Sequence, residues 1–172
     1  MLISDPYRIH ANFDRWATQR LLAVCKGLGN PAIDRQFTIG LGSLRRTFTH
    51  LVANMEHWFD RADSRTLRPF NSKPGEPFDS ITGRFEAAWA DVKGIIDRHG
   101  PAGLAEVISS EFEQDDGARI PVRFTRGSIL LHVFNHGTHH RVQCLNMLRH
   151  LGVDPLPEID LIDSNQEVGT AS

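Results

Sequence analysis

Apolar side chains recur at helical spacing in four blocks of this chain, and between the third and fourth they alternate instead. The first block follows Asp5-Pro6, a capping residue and a favourable first helical residue. Ile9, Phe13, Trp16, Ala17, Leu21 and Val24 share a face up to about Lys26, before Gly27 and Gly29. Ser43 caps the second block, where Leu44, Phe48, Leu51, Val52, Met55, Trp58 and Phe59 form a broad apolar face. The third follows Asp79-Ser80, carries Ile81, Phe85, Ala88, Trp89, Val92, Ile95 and Ile96 on one side, and stops at Gly100-Pro101. The fourth runs from Leu130 to Leu151, with Gly127-Ser128 before it and Gly152 after it.

In the alternating stretch Ile120, Val122 and Phe124 are interleaved with Pro121, Arg123 and Thr125, and Ile108, Ser110 and Phe112 alternate more weakly upstream. Asp115-Asp116-Gly117 between them is a hairpin turn signal, and Pro121 restricts its strand to an edge, which predicts a two-stranded ribbon. Leu67 to Asp79, with Pro69, Pro74, Gly75 and Pro77, makes a 13-residue connection, long enough to cover something. Arg61, Arg65 and Arg68 are expected as surface charge at the end of helix two, and the tail VGTAS as loose. The predicted fold is all-α: an antiparallel four-helix bundle with a small β-hairpin between helices three and four, residues 1–172 forming one domain. Leu130, Phe134, Leu145 and Leu148 give helix four a second apolar side, which a homodimer contact would cover.

Helix four also holds five of the nine histidines. His132, His136 and His140 fall on one stripe with Ile129, Val133, Gln143, Cys144, Met147 and Leu151, and so are expected to point inward. Buried imidazoles need partners, either a metal ion or hydrogen bonds within the core. His136 and His140 have the spacing that lets one helix hold one ion, but Gly137 replaces the glutamate of the zinc-protease motif, and no Glu-x-x-His unit of a di-iron bundle occurs. On helix two, His50, Asn54 and His57 lie along the edge of the apolar face, either as a pocket wall or as a solvated margin. Asn12 on helix one has the same two readings, helix contact or pocket. His139 flanks the stripe, and His10, His99 and His150 are expected on the surface.

Composition narrows the classes. Hydrophobic residues make up 40% and charged residues 23%, as in ordinary globular domains. A net charge of -2, with no basic cluster longer than Arg45-Arg46, offers no footprint for nucleic acid. No apolar run and no opening segment has the character of a membrane span or an export signal. Cys25 and Cys144 are too few for a disulfide framework, so they are expected as small buried side chains in a reducing cytoplasm, with Cys144 a minor candidate for the histidine site.

The strings YRIHANFDRWATQRLL, THLVANMEHWFDRA and HVFNHGTHHRVQ resemble, in order and spacing, the DinB family, which includes the YfiT-like proteins. The resemblance covers essentially the whole chain and is most specific over Asn135 to Gln143. It implies a usually dimeric four-helix bundle that holds one divalent transition metal through His50, His136 and His140. Zinc or nickel comes first, and iron or copper also suits imidazole donors. Asn12, Asn54, His57 and His132 become the candidates for substrate binding. The activity implied is a metal-dependent S-transferase acting with a low-molecular-weight thiol. The alternatives are a metal-dependent hydrolase or a non-catalytic, stress-associated metal-binding protein. Val142 stands where many relatives have glycine, on a side away from the histidines. No Asp or Glu lies on the histidine stripe of either helix to serve as general base, and Glu56 points elsewhere.

Overall fold

A computed structural model of the chain describes residues 3–113 and 116–164. Four long helices account for most of it: α1 (Pro6–Leu28), α3 (Leu44–Ala62), α4 (Phe78–Leu104) and α5 (Arg126–His150). These are helices one to four of the sequence. Two one-turn helices that the periodicity does not reveal, α2 (Asn30–Ile33) and α6 (Leu161–Ser164), complete the described helices, and β1 (Val107–Glu113) pairs antiparallel with β2 (Arg119–Thr125). The molecule is therefore all-α with one small hairpin.

Local chemistry explains the starts and stops. The side chain of Asp5 accepts the Arg8 backbone N–H at 2.8 Å, and Ser43 accepts that of Arg46 at 3.3 Å, each satisfying a donor that the first helical turn leaves open. Helix α5 begins earlier than the expected Gly127-Ser128, because Thr125 is its cap and bonds the Ser128 N–H. Gly127 instead sits inside the first turn, where the Tyr7 hydroxyl occupies the space of a Cβ. Helix α4 differs at both ends from the expected Asp79-to-Gly100 span. It starts at Phe78, and beyond Gly100, whose positive φ of 57° breaks the helical path, Pro101 opens a further turn to Leu104.

Both α1 and α3 pack against α4 and α5. Phe48, Phe59, Phe85, Leu21, Leu51, Ile81, Ile95, Leu130 and Met147 are fully buried between them. Each such side chain stabilises the fold by about 1.5–3 kcal/mol relative to exposure. Of the second apolar side of α5, Leu130, Phe134 and Leu148 are buried within the chain and Leu145 is half-buried. The large apolar side chains that α5 leaves exposed are Leu131 and Val142. Where α1 crosses α5, the fully buried Arg141 donates to Asp14 and, at 3.2 Å, to Thr18 Oγ1. Gly137 makes this possible, since a Cβ there would stand 2.8 Å from the Arg141 guanidinium and collide with Asp14. Cys25 and Cys144 are both buried in the core, as expected, and burial pushes the Cys25 thiol up to about 12.

Of the arginines at the end of α3, expected as surface charge, Arg65 is exposed, Arg68 is half-buried and Arg61 is buried. Arg65 and Arg68 both pair with the buried Asp60 and with Asp91 of α4. Arg84 bonds Glu56, Glu76 and the Asn71 carbonyl, and Arg45 bonds Asp34, Asn30 and the Glu76 carbonyl. These cations draw the long connection after α3 down onto that helix. The hairpin is amphipathic: Ile108, Ser110, Phe112, Val122 and Phe124 are half-buried, while Ser109, Glu111, Pro121 and Arg123 are exposed. Pro121 lies opposite Glu111 in a sheet of two strands, as its lack of an N–H requires. Of the expected turn, Asp116 accepts the Ala118 N–H at 2.9 Å and Gly117 has φ 81°, while Asp115 lies outside the described residues, as does the tail VGTAS.

Candidate metal centre

His50 on α3 faces His136 and His140 on α5. Their ring nitrogens gather at one point: His136 Nε2 is 3.2 Å from His50 Nε2 and 3.1 Å from His140 Nε2. All three rings offer a ligand atom within 4.8 Å of the others, and among the described residues they form the one group of at least three histidine, cysteine or acidic side chains that could hold an ion. His140 is buried, and the other two rings are half-buried.

Burial disfavours the charged form of each ring, and at His136 and His140 neighbouring imidazoles add to it. His136 is pushed down to about 3 by loss of water and by the neighbouring rings of His140, His50, His132 and His139. Burial also lowers His50, and it lowers His140 despite a hydrogen bond that works the other way. The triad is thus three neutral imidazoles at pH 7, the form that donates a lone pair to a metal.

The orientation of His140 comes from Gln143, one turn further along α5. The Nδ1–H of His140 donates to Gln143 Oε1 at 2.8 Å, which leaves Nε2 as the lone-pair atom facing His136. The Gln143 amide N–H₂ in turn donates to His139 Nε2 at 2.8 Å. Gln143 lies against Gly40 in the loop before α3, where any Cβ would collide with its amide; the positive φ of 50° at Gly40 belongs to the same close approach. The sequence places Gln143 on the histidine stripe but gives no sign of this role, because Gly40 is remote in the chain.

The substrate-binding candidates separate. Asn54 and His57 continue the His50 stripe along α3, and Asn54 Oδ1 and His57 Nδ1 are both buried without a protein partner. His57 Nε2 accepts from Arg61 Nε at 3.1 Å, so its proton sits on the unpartnered Nδ1. Burial lowers the His57 pKa, with the Arg61 charge adding to it. The long connection does cover something: the Phe70 ring stands 5.9 Å from that of His50 and 6.0 Å from that of His57. His132, expected to point inward, is exposed; its ring packs 4.9 Å from Trp58 and 6.1 Å from His136, at the rim of the triad. Two turns before His140, His132 meets α3 at Trp58 without being buried by it.

Asn12 lies elsewhere. It is exposed and lines a cavity of about 190 Å³ with Ala11, Trp89, Lys93 and Ile96, between α1 and α4, that holds none of the three histidines. Cys144 is turned into the core, where burial drives its thiol well above the ordinary range, so it does not line the site. Nor are all the remaining histidines on the surface. His10 is half-buried and stacks on Phe134, and His99 is half-buried and bonds Asp63, whereas His150 is exposed. Glu56 is committed to Arg84, consistent with its pointing away from the triad. Among the described residues, no helix is long and apolar enough to cross a membrane. The DinB family model matches residues 10–167, and no curated protein matches the chain.

Proposed function

The chain belongs to the DinB family, and on that premise we propose that it is a metal-dependent enzyme whose centre is His50, His136 and His140. The observation that carries this is the convergence of three Nε2 atoms at 3.1 and 3.2 Å. Two nitrogens bonded to one tetrahedral ion at about 2.0–2.1 Å stand roughly 3.3 Å apart, so the donor set already has nearly the required spacing. Neutral rings and the Gln143-fixed tautomer of His140 fit the same group. We read the four long helices as the bundle of this family and the chain as one domain, with zinc or nickel as the ion.

A divalent ion held by three neutral ligands supplies Lewis acidity, making a thiol or a water a competent nucleophile near neutral pH. The chain's own residues do the remaining work. Gln143 holds His140 in one tautomer, and the Phe70 ring packs against His50. Beyond His50 along α3, Asn54 Oδ1 offers an acceptor and His57 Nδ1 a donor with no partner in the protein, which suits them to orient a bound molecule. A thiol S-transferase uses these features: the thiol at the triad, its remainder along Asn54 and His57. A closed structural site is disfavoured, because Cys144, the fourth ligand it would use, is buried in the core. Two buried, unpaired thiols suit a reducing compartment such as the cytoplasm. A homodimer would use the exposed side of α5, where Leu131 and Val142 stand.

Metal analysis of the purified chain tests the centre: about one divalent ion per chain is expected, and His136→Ala should lose most of it with its helical circular dichroism intact. Unchanged metal content in that variant would remove the assignment. Consumption of glutathione, bacillithiol or mycothiol with a model electrophile, with and without metal, tests the activity. Turnover that survives complete metal removal would refute the mechanism.

A further inference from the structure

Buried arginines in this molecule are accompanied by carboxylates, with one exception. Arg45 pairs with Asp34, Arg126 with Glu106 and Arg141 with Asp14. Arg61 is only 9% exposed, yet among the described residues no carboxylate is in ion-pair contact with it. Its partners are neutral: Nε donates to His57 Nε2, and Nη1 to Ser110 Oγ and, at 3.3 Å, to the Glu111 carbonyl. The guanidinium lies 5.1 Å from the Phe112 ring and 5.7 Å from that of Trp58. The adjacent Asp60 is taken by Arg65 and Arg68. Desolvation lowers the Arg61 pKa with no anion to offset it. A buried cation without a counter-charge is costly, and chains rarely keep one without a use for it.

Arg61 borders a cavity of about 350 Å³ between the end of α3 and the hairpin, lined also by Leu67, Ser110, Glu111 and Arg119. Ser110 turns its side chain towards α3, so by strand alternation the side chain of Glu111 stands on the opposite face of the ribbon. Glu111 thus offers Arg61 its carbonyl and not its charge, and Arg119, opposite Glu113 in the register, lies on the same face of the ribbon as Glu111. We propose that this cavity is a carboxylate-binding subsite, with Arg61 as the binding cation and the Ser110 hydroxyl beside it.

The placement says what kind of molecule carries the carboxylate. His50, Asn54, His57 and Arg61 follow one another along one side of α3, and eleven residues of helix span about 16 Å. The unpartnered Asn54 Oδ1 and His57 Nδ1 lie between the two ends. A small molecule with its reacting group at the triad and a carboxylate at Arg61 has the length of about four or five extended peptide residues, less the reach of the side chains. That link rests on the metal reading above, whereas the anion subsite stands without it.

The test is titration of succinate into the full chain, metal-loaded and metal-free, followed by ligand-observed NMR, with succinamide as the uncharged isostere. Succinate is expected to bind saturably in both forms, and succinamide at least tenfold more weakly. Arg61→Met should weaken succinate at least tenfold and Arg61→Lys by less. Ser110→Asp gives Arg61 the carboxylate it lacks, so it should abolish succinate binding and raise Tm. No saturable succinate binding, equal binding of succinamide, or undiminished binding in either Arg61→Met or Ser110→Asp would overturn the proposal. Loss of metal from His136→Ala without loss of succinate binding separates the two sites, so failure of one leaves the other readable.

Discussion

Replacing Gln143 with leucine keeps the bulk of the side chain and removes both of its hydrogen bonds, which makes it a sharp probe of how the triad is held. In the native protein the 2.8 Å bond from His140 Nδ1–H to Gln143 Oε1 fixes which nitrogen carries the proton. Because His140 is only 6% exposed, the freed N–H is not fully recovered by water. A buried donor left unpaired costs about 1–3 kcal/mol, and at about 1.4 kcal/mol per tenfold the upper part of that range is one to two orders of magnitude in affinity. Outer partners of metal-bound histidines show the same scale, roughly 10- to 100-fold. Gln143→Leu is therefore expected to weaken divalent metal binding about 10- to 100-fold, measured by competition with a chromophoric chelator at pH 7. Gly40→Ala should act in the same direction, since its Cβ displaces the Gln143 amide, and it should also lower stability because φ is +50° there. Metal affinity within twofold of the native protein in Gln143→Leu, with the fold intact, would refute the argument.

Three further outcomes follow from the packing. Arg141→Met strands Asp14, 2% exposed, in the core; breaking a buried pair costs about 3–5 kcal/mol, and at roughly 2–4 °C per kcal/mol for this chain length the melting temperature should fall by about 6–20 °C, read by circular dichroism. Gly137→Ala forces a methyl group against Asp14 and the Arg141 guanidinium and should cost about 1–3 kcal/mol in chemical denaturation, whereas Gly83→Ala, inside α4 and facing open space, should stabilise by about 0.4–1 kcal/mol. The third concerns acid. Burial works to raise the Asp91 carboxyl, but the hydrogen bonds and charges of Arg65 and Arg68 outweigh it and hold it below the ordinary 3.8. A carboxyl depressed in the folded state gives stability that is present above the unfolded pKa and is lost as pH falls through the folded one. The stability difference between the native chain and Asp91→Asn should thus be constant near neutrality and close as pH drops below about 3.8, and a difference that persists unchanged to pH 2 would contradict the pairing.

Much of the architecture is legible from periodicity alone. Ile9 to Val24, Leu44 to Phe59, Ile81 to Ile96 and the fourth block each lie within one long helix, because a helix in a small protein must bury one side and its apolar residues declare which. Pro121 likewise limits the ribbon to two strands. Boundaries were less legible where a distant residue decides them: Gly127 looks like a start signal but serves the Tyr7 hydroxyl, and Gly100 looks like a stop but is followed by another turn. The arginines misled most. Arg61, Arg65 and Arg68 look alike in sequence, and only the positions of Asp60, Asp91 and Ser110 distinguish two salt-bridged cations from a buried one without a carboxylate.

The chain by itself determined four long helices with a hairpin before the last, and it brought His136 and His140 together, since residues four apart on a helix share a side whatever surrounds them. Tertiary structure alone decided that His50 meets them while Asn12 lies between α1 and α4, that His132 is left at the rim, and that Gln143 is held against Gly40. The reason is that spacing along a helix fixes an angle about its own axis, whereas a meeting between two helices depends on how they dock. That docking is set by the whole core and by close approaches such as Gly137 on Asp14, which no local pattern records.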